Sequence, residues 1–154
     1  MTTPEEARRA GPDALRLNRQ VCFAMYSASR AATAAYRPML EELGLTYPQY
    51  LAMLVLWEAE PRSVRELGEE LGLDSGTLSP LLKRLEALGL VQRRRSAEDE
   101  RRVEIFLTEA GAALSAKASG IPQRLADAAG LTAAELDQLR ETLGRLTSAL
   151  HAAR

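Results

Sequence analysis

A mainly α-helical fold with one small β-hairpin is what this sequence predicts, and three observations predict it. Apolar residues recur at three- and four-residue steps over most of the 154 residues. Helix-start signals, a Ser, Thr or Asp followed by a first-turn partner, precede those stretches. Two short segments, 90–95 and 103–107, flank a polar loop, and the second alternates as a half-buried strand does.

The elements follow in order. Residues 1–12 read as a frayed leader punctuated by Gly11-Pro12. From Asp13 to Leu43 the chain reads helical, with Leu17, Val21, Met25 and Ala28 in register and alanines dense from Ala28 to Ala35. Arg37-Pro38 is expected to interrupt it, because proline disfavours helix at the preceding residue, leaving a short helix through Met39–Leu43 that ends at Gly44. Thr46-Tyr47-Pro48-Gln49 starts a largely apolar helix to about Glu58, in which Trp57 is expected in the core. Ser63-Val64-Arg65-Glu66 opens a capped helix to Leu71, Gly72-Leu73 turns the chain, and Asp74-Ser75-Gly76-Thr77 starts a helix that stops at Gly89. After the hairpin, Thr108-Glu109 starts a helix to about Ser119, and Gly120-Ile121-Pro122 breaks it. Thr132-Ala133-Ala134-Glu135 caps a final helix in which Leu136, Leu139, Leu143, Leu146 and Leu150 repeat at steps of 3, 4, 3 and 4. One such helix cannot bury its stripe alone.

Capped helix, tight turn, second helix, basic hairpin: that order is a winged helix-turn-helix. We expect residues 46–108 to form this DNA-binding domain, and 13–45 with 109–152 to form a helical dimerisation region. Composition agrees with a globular chain, 46% hydrophobic and 27% charged. Leu51 to Trp57, the longest apolar run, is far too short to span a membrane, and the start lacks the pattern of a signal peptide. With one cysteine, the expected location is the reducing cytoplasm. Net charge is −1, yet residues 83–102 hold seven Lys/Arg against four acids, net +3, while the remainder carries −4. That segment is either an electrostatic footprint for nucleic acid or a solvated charged hairpin. Ser75, Thr77 and Ser79 at the start of the second helix can approach base edges and phosphates, and Lys83 and Arg84 lie further along. In the hairpin, Arg94 and Arg101 are candidate DNA contacts, and Asp99 is expected to hold the Arg101 side chain in position for a narrow minor groove.

Cys22 is the single cysteine, so no internal disulfide is possible. It is either an inert buried residue or a reactive thiol whose chemistry involves something outside the chain. His151, the only histidine, is expected in solvent.

Ser63-Val64-Arg65-Glu66-Leu67-Gly68, Asp74-Ser75-Gly76-Thr77-Leu78-Ser79, Lys83-Arg84-Leu85-Glu86, Asp99-Glu100-Arg101-Arg102 and Leu107-Thr108-Glu109-Ala110-Gly111 resemble the MarR family of dimeric winged-helix transcriptional regulators. The resemblance covers roughly residues 13–152. Gln20–Arg30, Tyr36-Arg37-Pro38 and Leu45–Leu51 narrow it to the organic hydroperoxide resistance regulators of the one-Cys type.

The resemblance implies a redox-sensing repressor and not an enzyme. A homodimer would bind double-stranded operator DNA while Cys22 is reduced and be released when an organic hydroperoxide oxidises it. It assigns hydrogen bonds to the Cys22 thiolate, reaching across the dimer, to Tyr36 and Tyr47, since donors to the charged form favour it. Tyr26, one turn after Cys22, resembles the tyrosine that rearranges on oxidation. The sulfenic acid formed first has no resolving thiol in the chain and would react with a small cellular thiol, cyclise or overoxidise. No cofactor and no metal site are expected. Two other functions compete: a MarR-type repressor answering a small aromatic ligand in the dimer cleft, and a thiol peroxidase.

Overall fold

The structure, a computed structural model, describes residues 12–154; the leader read at 1–12 lies outside them but for Pro12. Two 3-10 turns, Pro12–Leu15 and Leu17–Arg19, lead into α1 (Val21–Glu41) and α2 (Tyr47–Glu58). Then come β1 (Arg62–Ser63), α3 (Val64–Leu71), α4 (Ser75–Ala87), β2 (Val91–Arg95), β3 (Val103–Leu107), α5 (Glu109–Ala118), α6 (Ile121–Ala129) and α7 (Ala133–Ala152). The strands form one antiparallel sheet in the order β1-β3-β2, with Arg93 opposite Ile105 and Arg94 opposite Glu104.

The caps form as their residue types dictate. Thr46 with Gln49, Ser63 with Glu66 and Thr132 with Glu135 are complete capping boxes, each side chain meeting the other's backbone N–H. Asp74 accepts the Thr77 backbone N–H at 2.8 Å. One core joins the end of α1 to the helix-turn-helix and the sheet: Leu40, Met53, Leu56, Leu67, Leu78, Leu82, Leu85 and Ile105 are all essentially solvent-free. Each such side chain contributes about 1.5–3 kcal/mol of burial. At the α3–α4 turn Gly72 takes a left-handed backbone (φ 65°), and Leu73 N–H reaches the Gly68 carbonyl at 2.9 Å. A Cβ on Gly68 would stand 2.8 Å from the Leu73 oxygen, so that turn closes only over glycine.

Four features differ from the sequence expectations. The helix expected from Asp13 begins at Val21, because Gln20 is extended and its amide donates to the Ala14 and Arg16 carbonyls, tying down the 3-10 turns. Pro38 does not interrupt α1. It forfeits one hydrogen bond near the helix end, while burial of Met39 and Leu40 holds that turn in place. The two-residue strand β1 was not foreseen; nothing short of its pairing with β3 reveals it. The Gly120-Ile121-Pro122 break is real, but α6 starts at once, with Pro122 in its first turn and Ile121 buried.

The body is built from the core just described, and two helices extend beyond it. The first two-thirds of α1 is mostly exposed, and α7 makes no extensive contact with another element among the described residues. Leu139, Leu143 and Leu150 of the leucine stripe remain 45%, 36% and 52% exposed.

Candidate nucleic-acid interface and thiol site

Helix α4 presents two faces. Leu78, Leu81, Leu82 and Leu85 are buried, while Ser75, Thr77, Lys83 and Arg84 are exposed and Ser79 is half-buried. The leucines at these steps dock α4 on α2 and α3 and thereby fix which residues face outward. Between α3, α4 and the hairpin runs an open cleft of about 790 Å³, lined among others by Ser75, Ser79, Asp99 and Arg101. The structure thus gathers Ser75, Ser79 and Arg101, three of the expected DNA contacts, along one surface together with Asp99. Thr77, Lys83 and Arg84 sit on the exposed side of the same helix.

The hairpin tip is held by short polar turns. Ser96 Oγ accepts from the Glu98 and Asp99 backbone N–H groups, and Ser96 N–H donates to the Arg102 carbonyl at 2.7 Å. The expectation for Asp99 needs correction: its carboxylate accepts the Arg101 backbone N–H (3.0 Å), and no ion pair to the Arg101 guanidinium forms. A carboxylate two residues upstream reaches the backbone more easily than a long side chain, so Asp99 fixes where the tip turns and leaves the Arg101 head unpaired among the described residues. Arg102 instead reaches back to Glu66 (3.0 Å) and Glu104 (3.4 Å), pinning the hairpin to the capping box of α3. The Glu66 carboxyl is held below the usual range, first by the Ser63 backbone N–H and further by Arg102. The Asp74 carboxyl is lowered in the same way by the Thr77 N–H.

Arg94 lies elsewhere. Its guanidinium stacks on the Phe106 ring (4.8 Å) and donates to Gln92 Oε1 at 2.6 Å, on the sheet face opposite Val91. Arg93, on the Val91 face, lines the cleft, as does Arg65 of α3. Neither was singled out from sequence. The signal for Arg93 was present: Val91 is apolar and two residues away, so strand alternation puts Arg93 on the inward side.

Cys22 is exposed near the start of α1, so the buried-inert reading of this thiol does not hold in the single chain. Around it Val21, Phe23 and Tyr26 are 63%, 41% and 58% exposed, an apolar surface facing out of the chain. Arg30 lies over the Tyr26 ring at 5.5 Å. The other tyrosines form their own cluster where α1 meets α2: Tyr36 and Tyr47 have ring centroids 4.9 Å apart, and Tyr50 lies 5.8 Å from Tyr36. Burial, with Tyr47 and Tyr50 adding to it, pushes the Tyr36 hydroxyl up to about 12. Tyr50 is raised for the same first reason. Tyr36 follows Cys22 by fourteen residues of one helix, about 21 Å along its axis at 1.5 Å per residue. One chain therefore keeps the thiol and the Tyr36–Tyr47 pair apart.

Fold, open basic surface and exposed recognition helix together define a winged-helix transcriptional regulator. The family model of the transcriptional regulator SarA/Rot matches residues 34–117. The chain is 49% identical over 139 residues to the organic hydroperoxide resistance transcriptional regulator of Bacillus subtilis, covering 90% of this chain and 95% of that one. Among solved structures, reduced AbfR of Staphylococcus epidermidis bound to DNA is similar, with 35% identity, coverage of 90% and 96%, and a TM-score of 0.74. Overoxidized AbfR, also bound to DNA, gives 32% identity, coverage of 96% and 99%, and 0.73. The chain belongs to the MarR family of transcriptional regulators, among the organic hydroperoxide resistance regulators.

Proposed function

We propose that this regulator is a homodimeric repressor that holds operator DNA while Cys22 is reduced and lets go when an organic hydroperoxide oxidises it. The observation that carries this reading is Cys22 itself: a lone thiol on an exposed apolar helix face, with its tyrosine partners out of reach in the same chain. A second copy supplies what is missing, its Tyr36 and Tyr47 donating to the Cys22 thiolate. Tyr36 suits that task, because a hydroxyl pushed up to about 12 keeps its proton at any physiological pH.

The Cys22 Sγ attacks the distal peroxide oxygen and the O–O bond breaks. The alkoxide leaves and takes a proton to become the alcohol, and the sulfur, oxidised by two electrons, becomes a sulfenic acid. A small cellular thiol then displaces water to give a mixed disulfide. The apolar surroundings favour an organic hydroperoxide over hydrogen peroxide. Added bulk beside Tyr26 shifts α1 against the partner and moves the two recognition helices off the spacing of about 34 Å that successive major grooves demand. DNA is bound through Ser75, Thr77, Ser79, Lys83, Arg84 and Arg101, and by analogy the reduced and overoxidized AbfR complexes with DNA support this use of the fold.

Operator binding measured before and after one equivalent of an organic hydroperoxide, for the native chain and for Cys22→Ser, tests the proposal. Release is expected for the native chain alone. Equal binding in all four conditions would sink the sensor reading, and release of both proteins would point to a ligand site that does not involve the thiol.

A further inference from the structure

The five arginines of the hairpin divide by what already holds them. Arg94 is taken up by Phe106 and Gln92, and Arg102 by Glu66 and Glu104. Arg93 is different. Its stem lies on the Val91 side of the sheet, opposite Ile105, where both apolar neighbours are essentially solvent-free. Its backbone N–H donates to Glu86 of α4 at 3.0 Å, which consumes a nearby carboxylate oxygen and ties this position to the recognition helix. Its side-chain Nε is buried and meets no acceptor, and its guanidinium forms no ion pair among the described residues. A buried N–H without a partner is costly. The rest of the guanidinium, which also has no hydrogen-bond acceptor among the described residues, is the part of this half-buried side chain that an anion in the cleft could meet. Arg93 lines the cleft that also presents Ser75, Ser79 and Arg101. A planar cationic fork without an acceptor, between a recognition helix and a wing, matches a phosphate oxygen pair.

We propose that Arg93, and not Arg94, is the strand arginine that binds a DNA backbone phosphate, joining recognition helix and wing on the same stretch of duplex. The assignment rests on the DNA-binding reading above. It makes Arg93 a register-setting contact without base preference, in contrast to the small polar residues of α4. Glu86, through the Arg93 backbone, carries any shift of α4 directly to this contact.

The test is a salt series of affinities for the operator and for an unrelated duplex. Arg93→Met keeps the packed stem and removes the head; Arg93→Gln serves where that variant does not fold. The substitution removes one phosphate contact from each copy of the dimer, so both duplexes should bind about a hundredfold more weakly at low salt and the slope of log affinity against log salt should fall by about 2. Arg93→Lys should recover most of the slope, which a purely structural role would not produce, and Arg94→Met should leave affinity and slope unchanged. Native affinity and slope in Arg93→Met, alongside weakened binding by Arg101→Ala, would overturn the assignment and leave the DNA-binding reading standing. A loss confined to the operator would also overturn it, since that marks a base contact. Inorganic phosphate at fixed ionic strength distinguishes a free anion from DNA: if Arg93 served that ion, phosphate binding would fall in Arg93→Met with duplex affinity intact, and the proposal would fail. No duplex binding by the native chain would remove the DNA-binding reading and this assignment together.

Discussion

Tyr36 shows how much one side chain's surroundings decide. Its hydroxyl is raised to about 12 by burial first and by Tyr47 and Tyr50 second. A tyrosine is neutral while protonated, so the sign is simple. Up to about pH 10 folded and unfolded chains bind this proton alike. Between there and about 12 the unfolded chain ionises and the folded one does not, so stability falls with rising pH. Tyr36→Phe should remove that part of the alkaline loss, and at neutral pH it should slow the reaction of Cys22 with an organic hydroperoxide by about tenfold, within the range of a lost hydrogen bond to a charged group. Unchanged thiol kinetics in the variant dimer would take Tyr36 out of the mechanism. Asp99 and Arg102 give the same lesson for the wing: the first shapes the backbone of the tip, the second fastens it, and the Arg101 guanidinium forms no ion pair among the described residues.

Among the elements, α5 closes the winged domain. Thr108 caps it, accepting the Gly111 N–H at 3.0 Å, while the Thr108 hydroxyl donates to the Gly89 carbonyl and the Trp57 indole N–H donates to the Gly111 carbonyl at 2.9 Å. A Cβ at Gly111 would stand 2.0 Å from the Leu90 oxygen, which is backbone and cannot step aside. Gly111→Ala is therefore expected to destabilise the fold by about 1–3 kcal/mol, the range of overpacked cores. Thermal unfolding checks this; a native melting temperature would show that α5 is not packed as described. The caps, the alternation of β3 and the leucine repeat of α7 were all legible in sequence, because each is a signal carried by residues within one or two turns of each other. Strand β1 was harder to see, since it exists only through its pairing with β3, about forty residues away.

At the scale of the molecule, the exposed stretches of α1 and α7 leave apolar side chains without a partner among the described residues. We place a second copy there. The stripe Leu136, Leu139, Leu143, Leu146 and Leu150 recurs at coiled-coil steps, and α1 adds Val21, Phe23 and Tyr26. A stable dimer needs about 800 Å² from each partner, and two helices of 21 and 20 residues offer enough length to supply it. The double variant Leu139→Lys, Leu143→Lys should sediment as a monomer and lose operator affinity, because two half-sites are then no longer held together. A dimer that survives these changes would put the interface elsewhere. The division into residues 46–108 for DNA and the flanking helices for dimerisation stands or falls with that measurement.

The sequence by itself determined the order of helices and hairpin, the boundaries set by caps, the outward polar face of α4 and the solitude of Cys22, because these follow from local spacing and residue type. The tertiary structure decided which arginines are already engaged, what Asp99 holds, that Pro38 is tolerated inside α1, and that Cys22 and Tyr36 lie a long helix apart. Those outcomes depend on which surfaces meet across the core and the sheet. Register and packing are set by the whole chain at once, and no window of neighbouring residues carries them.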